Sequence, residues 1–256
     1  MEILVCIKRV PMVGGTVVLT ADGQQVDTSF LGFTMSPHEE CAVEEAVRLV
    51  EAQGGSSTVL TVGPSEAEEQ LRYAMSLGID RAVLVEAGDR ELGPESVAAE
   101  IVAAIGRHVA EHGSADLVLF GNEAADTNDF QVGVRVAEAL GLPCVTGVKE
   151  LEVTGAGLRA SRERGRSREV FALPMPAVCT VKEGLNLPRY PSLPGRLRAK
   201  SKPLATHPAE ERAERLRKVG LSVPREERRH AEVLGQGADA AARVVEVLVE
   251  LGLARQ

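Results

Sequence analysis

The chain has 256 residues, with 29 Lys and Arg against 37 Asp and Glu, for a net charge of −8. At 44% apolar and 26% charged residues it reads as a globular protein, long enough for one large or two small domains. No run approaches ~20 apolar residues, which excludes a membrane-spanning helix, and 3% aromatics without Trp argue against a base-stacking nucleic-acid binder.

Residues 2–10 carry Ile3, Leu4, Val5, Ile7 and Val10 and predict a buried, parallel strand. Thr16–Thr20 and Gln25–Thr28 flank an Asp-Gly turn and predict a hairpin. Met35-Ser-Pro-His-Glu-Glu opens a helix, with Ser36 as cap, Pro37 at the first position and two glutamates at the positive end of the dipole. Its apolar face runs from Ala42 to Val50, and Gly54-Gly55 stop it.

Ser57–Val62 predicts a strand, followed by a helix capped by Ser65 and closed by Gly78. Then come a strand at Arg81–Val85, a helix at Pro94–His112, a strand at Asp116–Phe120, a helix at Val132–Leu140 and a strand at Cys144–Val148. This alternation predicts an α/β fold: a Rossmann-like, mostly parallel sheet with helices on both faces, and ligands beyond the carboxyl ends of the strands. Beyond Lys149, segments at Leu151–Val153, Leu158–Arg162 and Glu169–Leu173 predict a small antiparallel extension, and Ala177–Val181 another strand. Gly184 to Pro208 contains five prolines and reads as a long extended arm rather than a packed element. Residues 209–218 predict a charged helix and Asp239–Leu253 an amphipathic one. The expected organisation is an α/β domain over 1–180, including the antiparallel extension, and an arm with a helical tail over 181–256.

Arg196 to His230 holds eleven Lys and Arg against five Asp and Glu. Such a strip suits nucleic acid or a protein-contacting arm, and the scarcity of aromatics favours the arm. The opening residues show no basic region and apolar core of a secretory leader. Cys6, Cys41, Cys144 and Cys179 form no CxxC pair. Neither structural zinc nor a disulfide framework is expected, and a reducing cytoplasm fits. His108 and His112 lie four apart on a helix face that reads as exposed, and no metal-spaced set of histidines is present. Dinucleotide, P-loop and Gly-x-Ser-x-Gly fingerprints are all missing.

Four segments carry possible chemistry. Lys8 ends the first strand, where it meets either an anionic ligand or solvent. Ser36 to Glu39 offers backbone groups and a hydroxyl to a base or sugar, or is a plain helix start. Gly121-Asn-Glu-Ala-Ala-Asp-Thr-Asn-Asp-Phe-Gln-Val-Gly133 joins a strand to a helix and is longer than a capping loop needs, which favours anion binding through backbone N–H groups. Val181 to Lys200 carries prolines, cations and Leu193, and is either a docking arm or a loop lying on its own body.

Together these segments resemble the electron transfer flavoprotein β subunit family. The matching stretches are Ile7–Val10, Met35–Pro37, Glu40–Ala46, Val62–Pro64, Ala74–Ala82, Gly121–Gln131 and Leu185-Asn-Leu-Pro-Arg-Tyr-Pro-Ser-Leu-Pro194, in the family's order from residue 2 to about 203. The resemblance implies a heterodimer with an α subunit that carries most of the FAD, passing electrons from flavin dehydrogenases to a quinone reductase-type acceptor. It implies an electron carrier subunit, not an enzyme, that holds AMP or, in the electron-bifurcating branch, a second FAD. It expects neither nucleic-acid binding nor membrane insertion.

Carried over by position, the nucleotide site comprises Cys6, Ser36, Pro37, His38, Glu39, Val62, Gly121, Asn122, Glu123, Ala124, Ala125, Asp126, Thr127, Asn128, Asp129, Phe130, Gln131 and Val132. The partner-binding residues are Leu185, Asn186, Pro188, Arg189, Tyr190, Leu193 and Pro194. Departures from the family pattern are Ser36 for Asn, Asn122-Glu123 for Lys-Gln, Val132 for Thr and Arg198 at the place of a modified lysine. Gln131-Val-Gly133 is similar to the bifurcating and nitrogen-fixation-associated branches. A competing reading is a free-standing adenine-nucleotide sensor of the universal-stress type, which has no use for the 181–203 arm. An enzyme of adenylate chemistry needs a Ser-Gly-Gly-type loop after the first strand, where this chain has Arg-Val-Pro-Met.

Overall fold

The first strand, β1 (Glu2–Cys6), is buried along its whole length, as an apolar run flanked by neighbours on both edges and both faces must be. The computed structural model describes residues 1–12, 14–155, 157–224 and 231–254. In chain order the elements are β2 (Val10–Pro11), β3 (Phe33–Thr34), α1 (Pro37–Gln53), β4 (Ser56–Gly63), α2 (Glu68–Leu77), β5 (Arg81–Glu86), α3 (Pro94–His112), β6 (Leu117–Gly121), α4 (Val132–Leu140), β7 (Cys144–Val148), β8 (Glu150–Thr154), β9 (Gly157–Arg164), β10 (Ser167–Leu173), β11 (Ala177–Val181), α5 (Leu193–Ala199), β12 (Leu204–Pro208) and α6 (Ala241–Glu250).

Seven strands form one all-parallel sheet in the order β12-β5-β4-β1-β6-β11-β7. Alternate residues face opposite sides. Ile3, Val5, Leu117, Leu119 and Cys179 meet α1 and α2 on one side. Leu4, Cys6, Val118, Phe120 and Val178 meet α3 and α4 on the other. The antiparallel trio β10-β9-β8 is inserted after β7, and the chain then returns through β11 between β6 and β7. The Gly155–Gly157 turn includes Ala156, which lies outside the described residues. Contacts group the chain into Met1–Gly220 and Leu221–Gln256.

Several expected elements differ. Asp22-Gly23 makes its turn, but the flanks share only an isolated bridge, Leu19 to Val26, and no hairpin strands form. Ser65 does not cap a helix: Ser65–Ala67 is a 3₁₀ turn leading into α2, with Pro64 at the cap position. The segment 184–208 is packed, not an extended arm. Ser192 caps α5 by accepting the Gly195 N–H at 3.1 Å. A Cβ on Gly195 would come within 2.5 Å of the Ser76 carbonyl oxygen, so the missing side chain lets α5 lie close against α2. Lys202 donates to the carbonyls of Met75 and Gly78 at 3.1 and 3.4 Å and also to that of Ile79, filling acceptors left open at the end of α2. β12 then pairs with β5 and closes one edge of the sheet.

Residues 209–218 form no helix. Arg212 reaches buried Glu100 at 2.8 Å, Arg215 reaches Glu95 at 2.7 Å and Lys218 reaches Glu91 at 2.6 Å. Cations three apart mimic a helical face, but here they answer the carboxylates of α3 and of the loop before it. Three of the strip's eleven cations are thereby paired with carboxylates within the chain. Its end, Arg225 to His230, lies outside the described residues. In the second unit, a 3₁₀ turn at Gly237–Ala240 precedes α6, which buries none of its residues. It is shorter than the expected Asp239–Leu253. His108 is also not on an exposed face: it is buried, with Nε2 3.2 Å from Oε1 of Glu2.

Candidate nucleotide cleft

A cleft opens at the carboxyl ends of β1, β4 and β6, with about 640 Å³ of empty space counted out to solvent. Cys6, Ile7, Val62, Val97, Ile101, Phe120 and Val132 give it apolar walls, and Asn122, Glu123, Asp129 and Thr180 give it a polar rim. This is where a parallel sheet leaves room, because neighbouring connections leave in opposite directions.

The first turn of α1 closes one side. Ser36 accepts the Glu39 N–H at 3.2 Å, and the Glu39 carboxylate accepts the Ser36 N–H at 2.7 Å, a complete capping box. Glu39 also accepts the Lys8 N–H at 2.7 Å, which ties β1 to α1. Burial pushes the Glu39 carboxyl up to about 7, against the pull of the Ser36 and Lys8 bonds. Burial likewise pushes the Cys6 thiol up, and the Glu39 charge adds to it. Cys6 is therefore a small apolar wall residue and no nucleophile. A Cβ on Gly121 would lie 2.8 Å from Cγ of Glu39, so any larger residue here would push the Glu39 side chain out of its place in the capping box.

The loop after β6 is folded by its own bonds. Asn128 takes a left-handed conformation and donates its N–H to the Ala124 carbonyl at 2.8 Å. Asp126 accepts the Thr127 N–H at 2.8 Å and the Lys8 ammonium at 2.7 Å. Asn122 is buried: its Oδ1 accepts the Thr180 hydroxyl at 2.9 Å, and its Nδ2 donates to Glu123 at 3.2 Å. At the start of α4, Gln131 occupies the cap position without capping. Its amide instead donates to Asp129 at 3.2 Å and accepts from Arg135 at 2.8 Å. The first turn of α4 keeps its N–H groups free of a side-chain cap beside a cleft lined by Val132 and Gly133.

Of the expected site residues, Cys6, Glu39, Val62, Gly121, Asn122, Glu123, Ala124, Asp129, Phe130 and Val132 line the cleft. Ser36 and Pro37 build the helix start behind it. Ala125, Asp126, Thr127 and Asn128 form the exposed loop tip, and Gln131 sits at its edge. His38 lies between Glu123 and the Glu183 backbone. Val97, Ile101, Phe120 and Thr180 were not expected. Their sequence signal is that of ordinary core, and only the topology brings β11 and the first turns of α3 to this end.

The expected partner-binding residues divide in two. Leu185 packs against the core. Asn186 donates to the Cys41 carbonyl at 3.0 Å and to Glu45 at 2.8 Å. Arg189 forks onto Glu44 at 2.9 Å and Glu51 at 2.7 Å. The Glu51 and then the Glu44 bonds push the guanidinium pKa up. Tyr190 and Leu193 are 93% and 72% exposed, with Leu193 at the first position of α5, Pro194 after it and Pro188 half-buried between the two groups.

Among the described residues no helix is long and apolar enough to cross a membrane, and no cluster of His, Cys, Asp or Glu is placed to hold a metal ion. Residues 25–212 match the family model described as the electron transfer flavoprotein domain. A protein of Bacillus subtilis named electron transfer flavoprotein subunit beta is 40% identical over 66% of this chain and 65% of its own length, just under two thirds. A protein of that name from Bradyrhizobium diazoefficiens is 38% identical over 80% of each chain, and one from Homo sapiens is 34% identical over 79% of each. On these matches, the family model covering the cleft residues from Glu39 onward and the 185–194 segment, the chain belongs to the electron transfer flavoprotein β-subunit family.

Proposed function

We propose that the chain is the β subunit of a heterodimeric electron carrier, binding an α subunit that holds FAD, and that the cleft holds AMP. The observation that carries this reading is the cleft itself. Its apolar walls suit a purine, and the uncapped start of α4 supplies backbone N–H groups and a positive dipole end for a phosphate. Glu123 and Asp129 on the rim are acceptors for ribose hydroxyls. AMP supplies no redox chemistry in this place; it completes the helix start and the loop. Electrons pass between flavin dehydrogenases and a quinone reductase-type acceptor through the flavin of the α subunit, in the cytoplasm. The apolar side of α6, with Val245 and Leu248 exposed, serves the partner subunit.

The test is co-expression with the α subunit, followed by extraction of bound nucleotide and mass measurement. One AMP and one FAD per heterodimer support the proposal. Two FAD place the second flavin here instead, and a heterodimer without adenine nucleotide beyond one FAD removes the cleft from the reading.

The exposed Tyr190–Leu193 segment supplies dehydrogenase contact in this scheme. Burying Leu193 in a partner's pocket contributes roughly 1.5–3 kcal/mol. Leu193→Ala is expected to slow transfer from a cognate dehydrogenase about tenfold, while reduction by dithionite stays at the wild-type rate. An unchanged enzyme-driven rate excludes the segment from docking.

A further inference from the structure

We propose that His38 is a positioning residue that couples the nucleotide loop to the root of the docking arm. The inference rests on the reading of the cleft as a nucleotide site. It begins with the two ring nitrogens. Nδ1 accepts the backbone N–H of Glu183 at 2.8 Å. A nitrogen that accepts carries no proton, so the neutral ring carries its proton on Nε2. Nε2 faces Oε1 of Glu123 at 3.2 Å and donates to it. One rigid ring therefore spans from a rim carboxylate of the cleft to the first residue pair beyond β11.

Both ends of this span have something to transmit. Glu123 lines the cleft, so a nucleotide whose ribose hydroxyls donate to its carboxylate fixes the orientation of that group. On the other side, Glu183 leads directly into the segment fastened to α1. Leu185 donates its N–H to Lys182, Asn186 is held by Cys41 and Glu45, and the Arg189 N–H donates to Glu44 at 3.1 Å. Tyr190 and Leu193 follow, exposed. The first turn of α1 thus touches the nucleotide loop, and its later turns hold the arm. His38 joins the two through a pair of hydrogen bonds rather than through mere nearness. Coupling of this kind is reciprocal: whatever nucleotide does for the arm, arm docking does for nucleotide affinity.

Amide hydrogen exchange on the full chain reads the coupling directly. Saturating AMP is expected to slow exchange at Glu183, Leu185 and Arg189 about threefold to tenfold, the effect of one hydrogen bond made or lost. His38→Phe keeps a ring without nitrogens and is expected to lose this slowing. His38→Gln keeps an acceptor and a donor on one side chain and is expected to restore part of it. Glu123→Ala cuts the same bracket from its other end, and decides the matter should His38→Phe fail to fold. Equilibrium dialysis with AMP, and separately with FAD, runs beside the exchange. If nucleotide binds but wild-type exchange is unmoved, or if the slowing survives in both His38→Phe and Glu123→Ala, the coupling is overturned and the nucleotide reading stands. If neither nucleotide binds, the reading of the cleft falls and the coupling with it.

Discussion

The two ends of the parallel sheet are built from the same strands and solve opposite problems. At the amino end, Glu2 of β1 is buried against Arg81 of β5 at 2.8 Å, against His108 of α3 and against the hydroxyl of Ser56. Its backbone N–H donates to Asp116 at 2.8 Å, and Asp80 accepts the Ser57 N–H at 2.9 Å. Most groups there answer one another: Arg81 Nε is buried without a hydrogen-bond partner, and His108 Nε2 meets Glu2 as a charge neighbour rather than in an aligned hydrogen bond. At the carboxyl end, apolar walls face a cleft and the first turn of α4 has no side-chain cap. A fold tolerates unanswered donors at a surface where a ligand or water completes them. The difference separates stability from binding along one set of strands, and substitutions at each end test that separation.

The largest effect is expected at the amino end. Arg81→Ala removes the cation beside a buried carboxylate and leaves Glu2 to His108 and the hydroxyls of Ser56 and Thr58. Breaking a buried pair from one side costs about 3 kcal/mol, because the remaining charge stays dehydrated. Denaturant unfolding should show that loss, with AMP affinity of the folded protein unchanged. A variant of normal stability, or one that loses nucleotide while folded, denies that the two ends are separate.

A second test uses pH, because the ends titrate with opposite sign. Burial lowers the pKa of His108, with the His112 and Arg81 charges adding to it and Glu2 opposing. The unfolded imidazole takes up its proton first, near pH ~6.5, so this contribution is complete above that value and is lost as pH falls. Glu39 behaves in reverse. Its unfolded carboxyl ionises near ~4.3, while the folded one holds its proton to about 7. That contribution is complete at low pH and is lost as pH rises toward 7. Each slope reaches at most about 1.4 kcal/mol per pH unit. As pH falls below ~6.5 the two offset each other. Glu39→Gln is expected to unmask stability that falls with falling pH, and His108→Gln stability that falls with rising pH. Unfolding midpoints across this range in both variants would contradict the opposed polarity if neither profile tilts.

How much of this was legible in the sequence follows from which signals are local. Pro94–His112 and Val132–Leu140 carry long apolar periodicity, and both helices stand at the expected residues. α5 is seven residues long and buries only Gly195 and Ala199, so it offers no apolar stripe to read. The edge strand β12 is mostly exposed and includes Pro208. Arg212, Arg215 and Lys218 suggest a helix because their spacing is all the sequence shows, while their partners stand about 110 to 130 residues away. The cleft divides in the same way. Gly121–Gly133 announces itself by length and composition. Ile101 and Thr180 enter only through strand order, which no local pattern encodes. The bridge from His38 to Glu183 depends on that order too.

The smallest effect expected is at Ser36, and it distinguishes a helix cap from a ligand contact. Ser36 is buried and its hydroxyl accepts the Glu39 N–H, so the capping box accounts for it without a ligand. Replacing a capping serine by alanine costs about 1 kcal/mol, and by glycine only a few tenths. Ser36→Ala is therefore expected to lower stability by that amount and Ser36→Gly hardly at all. AMP affinity in each should change no more than the helix start is loosened, about twofold or less. Titration of both variants with AMP, beside denaturant unfolding, separates the roles. If Ser36→Gly folds as well as wild type yet binds AMP tenfold more weakly, the hydroxyl touches the nucleotide. The carboxyl end of the sheet would then use one group for both its own stability and its ligand, and the division between the two ends would fail at this residue.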